Sequence, residues 1–240
     1  MKLLLTAGGV TNASIRHALV DLLGKPIGES SALCIPTAMY GHPMAGPGVK
    51  AWQFISGTSE NPMVELGWKS VGVLELTALP SIDEEHWVPL VRETDVLLVS
   101  GGDALYLCHW MRQSGLTDLL ASLSETVWVG LSAGSMVMTP RIGEDFVQWR
   151  PPTGDDSTLA MVDFSICPHL AHNGTPGNFI GLRGALGGRS RNSRVRDGRP
   201  DRNQSGRRRR RGRLRRALEP AHALGTEARA CVRGATRRES

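Results

Sequence analysis

The stretch Gly130-Leu131-Ser132-Ala133-Gly134 puts a hydroxyl between two glycines, directly after the apolar run "TVWVGL". In that setting G-x-S-x-G reads as a strand running through a sharp turn into a helix, with the serine raised above the sheet edge. Such a turn exposes Ser132 as a nucleophile. It also aims the backbone N–H of Ala133 at the oxygen of a reacting carbonyl, with the helix N-terminus adding partial positive charge. A serine in an ordinary βα turn or N-cap has the same local look, so a base has to be found. "CPHLAH" supplies His169 and His172, and His169 falls at the end of a strand-like run, which favours it as the general base. The glycines of "SGGD", Gly101 and Gly102, allow close backbone approach and could supply a second oxyanion donor. Asp103 after them reads equally as a helix N-cap or a substrate contact. Nucleophile, base and oxyanion donors make up acyl-transfer chemistry that requires neither metal nor cofactor.

Those residues must be positioned by a scaffold, and the pattern supplies one. "KLLLTAG", "SALCIPTA", "KSVGVLEL", "DVLLVSGG", "TVWVGLSAG" and "DFSICPHL" read as six strands separated by amphipathic helices. Asn12 is expected to cap "ASIRHALVDLLG", which ends at Gly24, and "DALYLCHWMRQSG" to close at Gly115. Ser81 and Glu84 form a capping-box pattern before "EEHWVPLVRE". The alternation predicts an α/β fold, a mostly parallel sheet flanked by helices, with its site at the carboxyl ends of the strands.

Taken together, "LLLTAGG", "VLLVSGGDALYL", "VGLSAGSMVM" and "FSICPHL" resemble the peptidase E family of serine hydrolases, relatives of cyanophycinase. The resemblance runs over roughly residues 2 to 178 and implies a fold like that of class I glutamine amidotransferases. It implies Ser132 as nucleophile, His169 as base, and Gly102 with Ala133 as oxyanion donors. The substrate it implies is a short peptide, a dipeptide with N-terminal aspartate in peptidase E proper. An amidotransferase would carry cysteine at position 132. A non-peptidase esterase on the same scaffold is a competing reading.

Charge divides the chain. Residues 1–180 hold 9 Lys+Arg against 18 Asp+Glu, whereas residues 181–240 hold 19 Arg, no Lys and 5 acids. All 12 aromatic residues lie at or before Phe179. A stretch so charged and so poor in aromatics is expected to stay disordered, so the chain divides into a domain over 1–180 and a tail over 181–240. Arg207 to Arg211 would bind nucleic acid non-specifically, but without aromatics for base stacking or a basic surface on the acidic domain. The four cysteines show no zinc-ligand spacing and suit a reduced, cytoplasmic protein. "MKLLLTAGG" has one Lys and an apolar run shorter than a signal peptide is expected to have, and no apolar run reaches membrane-spanning length.

The family's third catalytic residue is an acid beyond the histidine, in a segment similar to "YAIDDQTAIKVVDGDVEVVSEG". If each tail codon joins the last base of one ancestral codon to the first two of the next, an Arg codon of the CGN class hides any codon starting with G. Asp hides Ile, Met or Thr. On this rule Val195 to Arg216 accommodates the whole family segment without a gap. The frame is therefore expected to shift between about Asn173 and Ser190, and the triad acid to correspond to Gly198 or Arg199. Glu144, Asp145 and Asp163 are the acids left as substitutes. A chain without its triad acid and terminal strands is expected to be poorly active and unstable.

Overall fold

The computed structural model describes residues 1–46 and 48–168. Five strands form one sheet: β1 (Lys2–Thr6), β2 (Ser31–Ile35), β3 (Ser70–Val73), β4 (Val96–Val99) and β5 (Val127–Leu131). Their order is β1-β5-β4-β2-β3, and every neighbouring pair is parallel. Parallel neighbours need crossovers. Five helices lie in them: α1 (Ala13–Leu23), α2 (Val49–Ile55), α3 (Glu84–Glu93), α4 (Ala104–Gln113) and α5 (Leu116–Leu119); a sixth, α6 (Ala133–Met136), follows β5.

Side-chain alternation explains why the strands read as unbroken apolar runs. Val96 and Leu98 of β4 join Leu4, Cys34, Val127 and Val129 under Leu19 of α1 and Phe54 of α2. Leu97 and Val99 point the other way, with Leu5, Ile35 and Trp128, against Trp87 of α3 and Leu105, Cys108 and Met111 of α4. A sheet covered on both faces has no polar side, so its central strands carry no polar alternation.

The caps decide where several helices begin. Asn12 accepts from the Ile15 N–H at 2.9 Å, and Gly24 closes α1 at φ 69°. The Asp103 carboxylate opens α4 by accepting from the Tyr106 N–H at 2.8 Å. Other expectations need correcting. Asp83, not Ser81, precedes α3, and the Ser81 hydroxyl instead donates to the Ala78 carbonyl at 2.7 Å, closing a 3₁₀ turn. Ser114 closes α4, with Gly115 just beyond it at φ 77°. The sixth strand does not form in the described part of "DFSICPHL", where only Ser165 makes an isolated bridge. The basic tail, including Arg207 to Arg211, lies outside the described residues.

The connections set up a crevice. After β2 the chain passes to α2 on one face of the sheet, and after β4 to α4 on the other. Neighbouring strands whose crossovers leave toward opposite faces part at their carboxyl ends, where open α/β sheets bind ligands. Here that place lies between the 3₁₀ turn Thr37–Gly41 and the loop Gly101–Asp103, beside the end of β5.

Candidate active site

Ser132 follows β5 with φ 49° and ψ −104°, one of two non-glycine residues with positive φ among the described residues. A bulky or ordinary L residue avoids this region, at a cost on the order of 1–3 kcal/mol, and persists there only where its surroundings hold it. The surroundings here are specific. The Ser132 N–H donates to the Thr6 carbonyl at 2.9 Å, and its own carbonyl accepts from Ser135 and Met136, both at 2.9 Å. A side chain on Gly130 would lie 2.5 Å from the Gly134 carbonyl oxygen, and one on Gly134 would lie 2.5 Å from the Val99 carbonyl oxygen. The two glycines of G-x-S-x-G are therefore steric necessities: one lets the turn fold onto its own strand, the other lets it fold onto β4.

Buried hydroxyls lock the turn to β1. Ser135 Oγ lies 2.8 Å from the carbonyls of Thr6 and Gly130 and accepts from the Thr6 N–H at 2.9 Å. Thr6 Oγ1 donates to the Gly130 carbonyl at 2.8 Å and accepts from the Gly9 N–H at 2.9 Å. From below, the wholly buried Trp128 indole donates to the Gly134 carbonyl at 2.8 Å. Sequence reasoning missed all three supports. The available signal was a threonine closing an apolar strand and a second hydroxyl three residues beyond Ser132.

The Gly101–Gly102 loop lies beside the serine. A side chain on Gly101 would stand 3.5 Å from Ser132 Cβ. Gly102 has φ 132°, and a side chain there would collide with the Ala38 carbonyl, 2.2 Å away. Only glycine fits where the β2 and β4 loops meet. The Asp103 N–H then donates to Ala38 at 2.8 Å, pinning the loops together. Ala133 is the first residue of α6, so its amide belongs to a turn whose N–H groups have no intrahelical acceptor. The structure thus brings Ser132, Ala133 and Gly102 to one sheet edge. α6 spans only four residues, so its dipole adds little beyond those first amides.

Asp103 proves to be structural. It is 3% exposed, and its second carboxylate oxygen accepts from the Trp149 N–H at 2.8 Å, tying a distant loop to the start of α4. Burial, the largest influence, pushes its carboxyl above the usual range despite these bonds. Trp149 packs edge-on against Tyr106, with centroids 5.4 Å apart.

His169 and His172 lie outside the described residues. Glu144 and Asp145 sit in the 3₁₀ turn Glu144–Phe146, and Asp163 lines an open hollow with Pro140, Met161 and Phe164. Burial raises the thiols of Cys34 and Cys108 to about 11, so neither is a nucleophile near neutrality. Among the described residues, Asp83, Glu85 and His86 could reach one cation, but all three are exposed and none belongs to the Ser132 edge. No helix among them is long and apolar enough to cross a membrane.

Comparison with known proteins agrees with this architecture. Two curated proteins named peptidase E, from Shewanella putrefaciens and Shewanella sp. strain W3-18-1, are each 30% identical over 135 residues. That alignment covers 53% of this chain and 56% of each relative, so the chain spans about half the length of the curated relatives it matches. The crystal structure of a peptidase from an acI-B1 Actinobacterium matches in fold with a TM-score of 0.50 at 19% identity, over 70% of this chain and 68% of that one. Residues 3–180 match the sequence model of Peptidase family S51, and the chain belongs to that family.

Proposed function

We propose that this chain is a serine-type peptidase acting on short peptides, with dipeptides bearing N-terminal aspartate as the first class to test. The observation that carries the reading is the backbone of Ser132, held at φ 49° by glycines that tolerate no side chain. In this reading the Ser132 hydroxyl attacks the scissile carbonyl carbon, and its proton passes to His169. The carbonyl oxygen becomes an oxyanion held by the backbone N–H groups of Gly102 and Ala133. His169 then gives the proton to the departing amine, leaving an acyl-enzyme, and a water activated the same way releases the acid. Family membership and the geometry of the turn support the nucleophile; His169 and the substrate class are part of the proposal.

The same proposal treats residues 1–180 as the catalytic domain and the arginine-rich stretch over 181–240 as read out of frame. The acid that would orient His169 is then missing, and loss of a triad acid lowers turnover by about 10⁴-fold. An active-site fluorophosphonate, applied to the chain and to its Ser132→Ala variant, tests the nucleophile. Labelling of Ser132 that vanishes in the variant supports the reading, and equal labelling of both refutes it. Asp-Xaa dipeptides set against simple alkyl esters then decide between peptidase and esterase.

A further inference from the structure

Of the nine large hydrophobic side chains left exposed among the described residues, four fall within one short segment, residues 40–52. Tyr40 is 47% exposed, Met44 86%, Val49 56% and Trp52 67%. Exposed apolar side chains gathered in this way mark a binding surface more often than scattered ones do.

The segment's place in the fold says what it can bind. A run of close backbone approaches leads to it from the serine. Ser132 lies against Gly101, Gly102 lies against the Ala38 carbonyl, and Ala38 belongs to the turn that ends in Tyr40 and Gly41. Gly41 in turn sits under the Tyr106 ring, where a side chain on it would collide with Tyr106 Cβ. The Tyr40 ring reaches to within 3.9 Å of the point where a side chain on Gly48 would start. Gly48 caps α2, and Val49 and Trp52 follow three residues apart on that helix, both facing solvent. The turn that carries Tyr40 therefore borders the crevice where the β2 and β4 crossovers part, and Met44, Val49 and Trp52 follow it along the chain, with Gly48 at the start of α2 facing the Tyr40 ring.

Chemistry narrows the occupant to part of the substrate. Apart from His42 the segment carries one charged side chain, Lys50, among aromatic, aliphatic and thioether groups. Its donors, on Lys50, His42, Tyr40 and Trp52, are few beside the exposed apolar area, so the surface suits aspartate less well than an apolar side chain. It suits an apolar or aromatic side chain one residue away.

We propose that Tyr40, Met44 and Trp52 form the subsite for the residue on the leaving side of the scissile bond, and that the enzyme favours substrates with Leu, Met or Phe there. The inference rests on the peptidase reading, because it needs a scissile bond at Ser132.

The test uses the full chain as its Ser132→Ala variant, which binds without turnover, and isothermal titration with Asp-Phe, Asp-Leu and Asp-Gly. Asp-Phe is expected to bind about 10-fold more tightly than Asp-Gly, the ratio given by about 1.4 kcal/mol of apolar burial. Adding Trp52→Ser or Met44→Ser should cut that ratio below about 3-fold. Equal affinities for the three peptides, or a preference that survives both substitutions, overturns the subsite. So does a failure of both Asp-Phe and Asp-Leu to bind. A dimer in sedimentation that Trp52→Ser dissolves also overturns it, by making the rim an interface between copies. The two readings fail distinguishably: a preference for Phe that Trp52→Ser abolishes, in a protein whose Ser132 resists fluorophosphonate, keeps the apolar site but removes the nucleophile and with it the leaving-side assignment.

Discussion

At Ser132 and its neighbours, the chemistry depends on atoms that are absent. Gly134 has no side chain because the Val99 carbonyl oxygen occupies the space, 2.5 Å from where Cβ would be. Backbone cannot move aside as a flexible side chain can. Gly134→Ala is therefore expected to lower stability by about 3 kcal/mol or more, or to prevent folding, as read from urea denaturation. A loss under about 1 kcal/mol would mean that the turn is looser than described. Asp103 offers a second measurement. Its buried carboxyl is raised, so the folded chain keeps a proton at a pH where the unfolded chain has released it. Stability should then fall as pH rises from about 4 through the folded value, because the unfolded state is the better acid there. In Asp103→Asn that fall should vanish, leaving a flatter profile of denaturation midpoint against pH. An unchanged slope would place the titration elsewhere.

Among the elements, five of the six expected strands were legible and the supports between them were not. "DVLLVSGG" and "TVWVGLSAG" announce buried strands because both their faces are covered, and the glycines after them mark the edge where the site forms. Asn12 and Asp103 show as caps because each precedes an amphipathic run. Ser81 misled because a serine three residues before a glutamate fits a capping box, yet here its hydroxyl closes the preceding 3₁₀ turn. The bonds from Ser135 to Thr6 and from Trp149 to Asp103 join residues 129 and 46 positions apart, so no local pattern carries them. Burial also ranks the strands. Leu98 is wholly buried in β4, whereas Val73 is half exposed on the edge strand β3. Leu98→Ala should cost about 2–5 kcal/mol, and Val73→Ala under about 0.5 kcal/mol, by urea denaturation. Similar costs at both sites would contradict the edge position of β3.

Across the whole molecule, the acidic residues 1–180 and the arginine-rich residues 181–240 differ sharply in composition. Membership of family S51 covers residues 3–180, where the aromatic residues and the Ser132 turn are found. The proposed frame shift accounts for the 19 arginines and absence of lysine over residues 181–240, since GC-rich codons read out of register would yield many CGN arginine codons and few A-rich lysine codons. Sequencing the gene and translating its other frames should reveal an acidic segment in place of Val195 to Arg216. A gene that encodes no such segment in any frame ends that proposal. Ser132 itself is tested most directly by incubating the chain with a fluorophosphonate and mapping the adduct by peptide mass spectrometry. The account predicts one adduct, on Ser132, that is missing from Ser132→Ala. A folded chain that carries no adduct on Ser132, or carries it on another residue, would contradict it.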